Sequence, residues 1–571
     1  MKNNFAILFV PLVLAAFTMT SFVSCNDDDD NKDGEPESVS QETDFSVSAT
    51  SLSFPKVGGT QIITVQSSQD VLVMPTVQWI SIVKNSDGSY SVTAKLYEGD
   101  ADRTGEITVL SGSNSAKITV TQAFSSAQNI SVGSGESVFS TGVDVVDGVS
   151  EVIDALWISK TSDGYSAATN NSGMERTGLV IYKYSSSSDT VKVTQAAGDV
   201  AALSLDSKAI EIAAQMYPAW NLGNTMEATG SGLGAETSWQ STKTSQELID
   251  YVKSLGFRAI RIPCSWYIHC DKNNNYLINA DWMARVKDVV DYCVNAGLYV
   301  ELNDHWDGGW IEVLGFSSSD KSYVSVLGDE EYVNGKTEIL KNLWTQIATE
   351  FKDYDHHLIF AGLNEPFQEW NLFHDKHKEL TPILEKYNQA FVDAVRATGG
   401  NNAKRVLAVQ GPSTNAQSTI DYLTMPNDVI ADRLMVEVHY YDPYNFTINS
   451  GDGYADTWNS ETSLKNLFAS LKSRFADNGV PVIIGEYAAN WRTSGNQARH
   501  DASIKAFYKA VNKWAPANGL VPFAWDTNYC PSSRGTGGTA TIVDRTKRAV
   551  YGPVAYSGIL EGVGATVWLC N

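Results

Sequence analysis

Eight short apolar runs, rich in β-branched residues, recur along the chain from about residue 200 onward. Stretches such as SQELIDYVKSLG and ADWMARVKDVVDYCVNAG separate them, and there the apolar positions recur every three to four residues before a closing glycine. The first pattern indicates buried strands and the second amphipathic helices. Eight strands alternating with helices over about 370 residues predict an α/β fold, a (β/α)8 TIM barrel. The predicted strands are 219–223, 257–263, 298–303, 358–364, 405–410, 433–440, 480–487 and 520–526.

A doubly wound open sheet is the alternative to the barrel. Such a sheet normally carries a glycine-rich phosphate-binding loop after its first strand. No such loop follows the first run, AWNLG, so the barrel is favoured. A phosphate-binding barrel enzyme is disfavoured as well, because no glycine-rich loop with a basic residue follows the seventh or eighth run.

Residues 45 to 197 have a different texture and contain an internal repeat. The first copy includes WISIVKNSDGSYSVTA, RTGEITV and ITVTQA, and the second includes WISKTSDGYSAAT, RTGLVIY and VKVTQA, offset by 73 to 78 residues. Short alternating runs of Val, Ile, Thr and Ser, broken by Gly, Asn and Asp, predict two small immunoglobulin-like β-sandwiches. The predicted domains are the sandwiches at 45–123 and 124–198, followed by the barrel at 199–571.

The Trp-to-Gln spacing in both copies resembles the BACON domain, an immunoglobulin-like module of secreted Bacteroidetes proteins. The resemblance implies either a spacer or a carbohydrate-binding domain. Trp79 and Trp157 lie in strand-like runs, which favours a core position, and no exposed aromatic cluster stands out in either copy. A spacer is therefore the favoured interpretation, and glycan binding is the alternative.

The first 25 residues form a secretory signal. Lys2 supplies a positive start, an apolar run extends from Phe5 to Phe17, and SFVSC places small residues before Cys25. The apolar run is too short to span a membrane. The segment 1–25 looks like a lipoprotein signal with Cys25 as the lipidated residue, and a plain cleaved signal is the alternative.

An acidic linker, residues 26–44, follows the signal and begins NDDDDNKDGEPE. It has no apolar surface to bury and is expected to stay solvated. An acidic run beside the cysteine resembles the export tag of Bacteroidetes lipoproteins. The resemblance implies an outer-membrane lipoprotein exposed at the cell surface.

The charge and aromatic content of the chain limit the classes of partner that it can bind. The chain has 66 acidic and 42 basic residues, a net charge of -24, which argues against nucleic acid and anionic lipid. Membrane contact is expected only through a lipid anchor at Cys25, and the protein is expected to be a monomer. Fifteen Trp and 25 Tyr suit a neutral ligand with flat faces, although aromatic residues also fill large cores. The other cysteines match no metal pattern, and a disulfide among them stays open: Cys264, Cys270, Cys293, Cys530 and Cys570.

Polar side chains stand where the predicted barrel strands end. The fourth run, LIFAGLN, leads into Glu365, and the seventh, VPVIIGEY, contains Glu486 near its tip. In a TIM barrel the carboxyl ends of the strands form the active site. A single residue of this kind could be a loop or capping residue, but seven strands share the feature, which predicts one common pocket. The other strand-end residues are Asn221, Asn224, Arg261, His305, His439, Tyr441 and Trp525.

The ordered motifs RIP, NDHW, NEP, HYY, GEY and AWD resemble glycoside hydrolase family 5 from about residue 205 to 571. WNLGNTMEA, ETSW and NDHWDGGW further resemble its subfamily 4, whose members cleave β-1,4-glucans. Two departures affect only distal glycone contacts. Met226 and Glu227 stand where members often have Leu and Asp, and QSTKT replaces a Gly-Asn-Pro run.

The resemblance implies a retaining mechanism in which Glu486 is the nucleophile and Glu365 the general acid and base, with the two carboxyl groups about 5 Å apart. Arg261 would hold Glu486 ionised, and Tyr441 would donate a hydrogen bond to it. Asn364 matches the residue that binds the sugar 2-hydroxyl. The other expected substrate-binding or supporting residues are Asn221, His305, His439, Trp310 and Trp525, with Trp266, His269 and Trp370 as further candidates for flanking subsites.

The expected substrates are plant β-glucans: xyloglucan, mixed-linkage β-glucan or cellulose-like polymers. A β-mannanase or xylanase of the same family is the alternative within this class. A non-catalytic glycan-binding lipoprotein is the alternative outside it, and it is disfavoured because both glutamates are present. No cofactor is expected, and no metal either, because His305 and His439 lack partners at metal-ligand spacing.

Overall fold

The computed structural model describes residues 44–143, 145–312, 329–367, 377–451 and 453–569. The predicted signal and lipidation site, the linker up to residue 43, Trp370 and Cys570 lie outside these ranges. Among the described helices, none combines the length and the apolar character needed to cross a membrane. All four described cysteines that were considered for a disulfide are free thiols.

The first sandwich packs two sheets face to face. A four-stranded sheet in the order β2-β9-β8-β5 covers a three-stranded sheet in the order β3-β7-β6, and β1 pairs with β4. Inward residues of both sheets, among them Phe54, Val92 and Ile107, share one core. The strands are β1 Ser46–Val47, β2 Ser51–Phe54, β3 Gly59–Ile63, β4 Val65–Gln66, β5 Val71–Pro75, β6 Ile80–Lys84, β7 Tyr90–Ala94, β8 Arg103–Ser111 and β9 Asn114–Gln122.

The second sandwich repeats this topology. Its sheets have the orders β10-β16-β15-β12 and β11-β14-β13, the same arrangement as in the first copy. The repeat motifs explain the match, because the Arg of each RTG run bonds the Gln of each TQA run: Arg103 to Gln122 and Arg176 to Gln195. The strands are β10 Gln128–Val132, β11 Ser137–Phe139, β12 Ser150–Ile153, β13 Ile158–Thr161, β14 Gly164–Ala167, β15 Arg176–Lys183 and β16 Ser188–Gln195.

The rest of the chain forms a closed parallel barrel in the order β17-β18-β21-β22-β23-β24-β25-β26. All eight predicted strands are present, so the predicted fold is confirmed. The strands are β17 Ala219–Asn221, β18 Ala259–Ile262, β21 Tyr299–Asn303, β22 Leu358–Ala361, β23 Leu407–Asn415, β24 Leu434–Tyr440, β25 Val482–Tyr487 and β26 Leu520–Ala524, and short strands outside the barrel are β19 Cys270–Asp271, β20 Leu277–Ile278, β27 Val543–Asp544 and β28 Ala549–Val550.

Helices surround the barrel because each strand is buried on both faces and must be covered on its outer side. Strands β21, β22 and β25 are buried along their whole length. The described helices are α1 Ala209–Ala213, α2 Gln246–Ser254, α3 Ala280–Asn295, α4 Glu330–Glu350, α5 His377–Ala397, α6 Ala416–Tyr422, α7 Tyr444–Thr447, α8 Glu461–Arg474, α9 Gln497–Ala517 and α10 Pro553–Ala565.

The second sandwich is docked on the barrel through Trp157. This side chain is 1% exposed, and its indole N–H donates to the carbonyl of Gly564 near the end of α10 at 2.8 Å. Beside it, Asp154 pairs with Lys509 at 2.7 Å and with Lys513 at 2.6 Å, both on α9. The indole therefore works as an interdomain anchor and is buried away from any glycan, which favours the spacer interpretation of this sandwich.

Replacing Trp157 by Ala is expected to destabilise the protein by about 3–5 kcal/mol, because a buried aromatic ring and its hydrogen bond are lost. Urea unfolding followed by tryptophan fluorescence and circular dichroism measures the change. Trp79→Ala is the matched control, since Trp79 holds the equivalent place in the first copy, over Arg103. Equal loss of barrel stability in both variants would contradict the anchoring role.

Candidate active site

One cleft lies at the carboxyl ends of the barrel strands and has a volume of about 920 Å³. Residues that follow six of the eight strands line it, including Glu365 and Glu486. Carboxylate oxygens of these two glutamates and a ring nitrogen of His439 all lie within 4.8 Å of one another. The structure thus brings together the two carboxylates that the strand ends predicted.

Glu486 is held by two donors. Arg261 Nη1 lies 3.0 Å from Oε1, and the hydroxyl of Tyr441 donates to Oε2 at 2.8 Å. Both donors hold the carboxylate in one orientation. Burial and the adjacent Glu486 raise the pKa of Tyr441 well above its ordinary value, so the phenol keeps its proton and remains a donor.

Glu365 follows β22 and faces the imidazole of His439. Nδ1 of His439 lies 2.6 Å from Oε1 of Glu365. Burial raises the pKa of Glu365 against the opposing hydrogen bond from His439, and Glu486 adds to the rise. A carboxyl group with a raised pKa carries a proton at higher pH than usual, which is what a general acid requires.

Arg261 is fully buried under the floor of the cleft and orders the polar residues around it. Its Nη1 donates to Oδ1 of Asn221 at 3.1 Å, and its Nη2 donates to Oδ1 of Asn364 at 2.7 Å. Because the amide oxygen of Asn364 is used in this way, its NH₂ group is what it can offer to a sugar hydroxyl. Arg261 thereby sets the orientation of Asn364 as well as that of Glu486.

His439 is charged. Its two ring nitrogens face carboxylates, Nδ1 toward Glu365 and Nε2 toward Glu437 at 3.4 Å, so both nitrogens act as donors. Burial opposes the charged form, but Glu486 and Glu365 outweigh it and raise the pKa of His439 to about 10. An imidazolium at this place stabilises either carboxylate when it is ionised.

Trp525 lines the cleft after β26, and His305 stacks parallel to it with ring centroids 6.0 Å apart. Asn303 fixes the His305 tautomer. Its Oδ1 accepts from the backbone N–H of Cys264, so its Nδ2 is the donor to Nδ1 of His305 at 3.3 Å. Burial, with Arg261 adding, lowers the pKa of His305 well below its usual value. The neutral ring therefore carries its proton on Nε2 and can donate to a sugar hydroxyl.

Several predicted residues lie in the core instead of in the cleft. Trp310 is 4% exposed, stacks on Tyr267 at 5.0 Å and donates to Asp304, so the prediction that it lines a subsite is wrong. Trp266 is fully buried and donates to the carbonyl of Asn303. Both rings are therefore buried in the protein core and do not reach the cleft.

His269 and Asn221 are also removed from the cleft. His269 stacks on Trp282 with centroids 3.9 Å apart, and burial lowers its pKa to about 4, so it is a neutral core residue. Asn221 is fully buried and donates to the carbonyl of Gly485 at 2.8 Å while it accepts from Arg261. It supports the floor of the site from below and does not face a ligand.

Two exposed aromatic residues of the cleft were not among the predicted site residues. Trp239 is 46% exposed and Tyr529 is 60% exposed, and both line the cleft with Trp525 and Asn224. Trp239 belongs to the ETSW run, which the sequence marked as a family feature only. The only sequence signal for both residues was an aromatic residue in a loop after a predicted strand end.

A parallel barrel with two carboxylates at the ends of its fourth and seventh strands, whose oxygens lie within 4.8 Å of each other, has the arrangement of a glycoside hydrolase. The family model "Cellulase (glycosyl hydrolase family 5)" matches residues 225–530, and the BACON model, described as a putative N-terminal binding domain, matches residues 69–123. The chain belongs to glycosyl hydrolase family 5, and both predicted resemblances are confirmed, the one to the BACON domain by a match within the first sandwich.

Individual proteins agree with this assignment. Endoglucanase A of Clostridium longisporum is 35% identical over 350 residues, 59% of this chain, and the chain spans 62% of that protein's length. The solved structure of XEG5B, a xyloglucan-specific β-1,4-glucanase from a ruminal metagenomic library, is 56% identical with a TM-score of 0.59 and covers 63% of this chain and 97% of its own. The Bacteroides ovatus xyloglucanase is 26% identical with a TM-score of 0.56, over 91% and 99% of the two chains.

Polymer hydrolysis is expected to fall as the pH rises through the raised pKa of Glu365, because the general acid then lacks its proton. That pKa lies above the ordinary value of 4.5, so activity persists above that pH and is lost on the alkaline side. The profile of kcat/KM against pH measures the limb. A dinitrophenyl β-cellobioside is the control, since its leaving group needs no proton, and an equal limb on both substrates would contradict the assignment.

Proposed function

We propose that this protein is an endo-acting β-1,4-glucanase that works by double displacement with retention, and that xyloglucan is its preferred polymer. The observation that carries the mechanism is the pair Glu365 and Glu486, whose carboxylate oxygens approach within 4.8 Å around His439. In a retaining enzyme the two carboxyl groups stand about 5–5.5 Å apart, and an inverting enzyme needs a wider gap for water.

The reaction follows from these contacts. Glu486 attacks the anomeric carbon while Glu365 gives its proton to the leaving oxygen, which leaves a glycosyl ester on Glu486. The ester is neutral, so the repulsion between the two carboxylates disappears, and Glu365 now stays ionised beside the imidazolium of His439. In that state Glu365 takes a proton from water, the water attacks the anomeric carbon, and Glu486 leaves as a carboxylate.

The substrate proposal is supported by the cleft and by two relatives. Trp239, Trp525 and Tyr529 present aromatic surface, which suits the C–H faces of neutral pyranose rings. The XEG5B structure that is 56% identical contains the oligosaccharide XXLG, and the Bacteroides ovatus enzyme was solved with a XXXG heptasaccharide.

Reducing-end release tests the proposal. The soluble protein from residue 44 is assayed on xyloglucan, mixed-linkage β-glucan, carboxymethylcellulose, glucomannan and xylan. The expected result is fast hydrolysis of xyloglucan with a rapid fall in viscosity, which marks endo-cleavage. Activity on glucomannan or xylan alone would keep the mechanism and overturn the substrate. No activity on any polymer would favour a glycan-binding protein.

We also propose that the mature protein is a monomeric lipoprotein anchored through Cys25 and exposed at the outer-membrane surface. The support is the sequence of the first 25 residues and the acidic run after them. Labelling with palmitate in cells is expected for the wild type and absent in Cys25→Ala. Protease treatment of intact cells is expected to degrade the protein, and full protection would contradict the surface location. Light scattering of the soluble protein tests the monomer.

A further inference from the structure

A second pair of glutamates lies beneath the catalytic pair. Glu301 on β21 and Glu437 on β24 are fully buried, and their Oε1 atoms lie 3.1 Å and 3.0 Å from Nε of Arg261. Two carboxylates on one guanidinium nitrogen cannot both be ionised cheaply in a buried site. Their other contacts decide which one carries the charge.

Glu437 is surrounded by donors and Glu301 is not. Gln410 donates to Oε2 of Glu437 at 2.6 Å, and Nε2 of His439 lies 3.4 Å from its Oε1. Oε2 of Glu301 is buried and has no hydrogen-bond partner in the described part of the chain. A buried oxygen without a donor is costly when it is charged, so the proton belongs on Glu301 and the negative charge on Glu437.

The electrostatics of the site agree with this division. Burial opposes ionisation of Glu437, but Arg261 and His439 outweigh it and lower its pKa. Burial, with Glu437 adding, raises the pKa of Glu301 well above its ordinary value. The buried charges then cancel, since Arg261 and His439 are positive, and Glu437 and Glu486 are negative.

We propose that Glu437 is a positioning residue of the reaction, an ionised carboxylate that holds Arg261 under the nucleophile and His439 beside the acid at once. The inference rests on the proposed function. During the reaction Glu486 becomes a neutral ester and Glu365 becomes a carboxylate, so the negative charge moves from one to the other. Glu437 keeps its own charge throughout, and His439 therefore stays an imidazolium in both steps.

Glu437→Gln keeps the shape and removes the charge. The negative charge of Glu437 favours the protonated forms of Glu365 and His439, so its removal lowers the pKa values of both groups. The alkaline limb of kcat/KM is therefore expected to move to lower pH by about one unit or more. At pH values above the limb, polymer hydrolysis is expected to fall about 10-fold for each unit of that shift, because the general acid loses its proton earlier. The rate on a dinitrophenyl β-cellobioside should fall less, since Arg261 keeps Glu301 as a partner.

The other titratable or charged groups that face the Glu365–His439 dyad are Arg261, Glu301, His305, Tyr441 and Glu486.

Glu301→Gln is the matched variant, because it replaces a neutral carboxyl on the same nitrogen of Arg261. It is expected to lower activity less than Glu437→Gln and to leave the alkaline limb in place. A limb that moves in both variants or in neither would overturn the proposal, as would an equal loss on polymer and aryl glycoside. If the wild type cleaves neither substrate, the proposed function is wrong and the inference falls with it.

The wild type gives a second test that does not depend on a folded Glu437 variant. Nitrogen-15 NMR of the histidine rings, with the His439 signal assigned by its loss in His439→Asn, is expected to show an imidazolium at neutral pH. A neutral His439 ring at pH 7 would overturn the charge assignment.

Discussion

Glu486→Gln is expected to lower the rate of polymer hydrolysis by about 10⁵-fold or more, because the amide cannot form the glycosyl ester. The fold should survive, since Gln retains the shape and its single oxygen can still accept from Arg261, although it cannot also replace the oxygen that accepts from Tyr441. Reducing-end release measures the loss, and circular dichroism verifies the fold. Glu350→Gln is the control, an exposed glutamate at the end of α4 that should behave as wild type.

The stereochemistry of a rescue reaction tests the role more sharply than the rate. Glu486→Ala opens space for azide on the face of the sugar from which Glu486 attacks, so the dinitrophenyl glycoside should yield the α-glycosyl azide. That product has the inverted configuration, because only one displacement takes place. A β-glycosyl azide from this variant would contradict the assignment of Glu486 as nucleophile.

The second large effect is expected for Glu365→Ala, which removes the proton donor of the first step and the base of the second. Polymer hydrolysis should fall about 10³–10⁴-fold, in the upper range of what general acid–base catalysis contributes. The dinitrophenyl β-cellobioside should still form the glycosyl-enzyme, because its leaving group needs no proton. A burst of dinitrophenol followed by slow turnover measures this separation of the two steps.

Azide gives the matching control for Glu365→Ala. It enters where the acid stood, attacks the glycosyl-enzyme without help from a base and yields the β-glycosyl azide after two displacements. Faster steady-state turnover with azide is the expected result. An α-glycosyl azide, or equal losses on polymer and aryl glycoside, would mean that Glu365 and Glu486 have other roles than those assigned here.

The two-residue periodicity of the barrel strands also indicates that Glu301 and Glu437 face the barrel interior, which the sequence analysis did not predict. Glu437, His439 and Tyr441 alternate along one strand and its end, as do Glu301, Asn303 and His305. Side chains two residues apart on a strand share a face, so the glutamates point into the barrel with the histidines. The sequence predicted His305, His439 and Tyr441, because polar residues at the ends of barrel strands indicate a site. A glutamate in the interior of an apolar strand gives no such indication.

Two loop tryptophans with similar sequence surroundings take different roles in the structure. Trp310 and Trp239 both stand in polar loops after barrel strands, yet Trp310 is buried on Tyr267 and Trp239 lines the cleft. The aromatic ring is equally suited to packing and to stacking on sugar. Which role it takes depends on the neighbouring loops, and local sequence does not contain their positions.

The sequence by itself determined the two repeated sandwiches, the eight strands of the barrel and the two glutamates that meet at its rim. It could do so because strand ends in a closed parallel barrel always meet at one rim, so residues far apart in the chain are placed together by topology alone. Only the tertiary structure decided which of the buried glutamates carries a negative charge. Glu301 and Glu437 look alike in sequence, and only the donors around each, Gln410 and His439 on one side and none on Oε2 of the other, decide which is ionised. Ionisation in a buried site depends on contacts within a few ångströms, and those are made by residues from different strands.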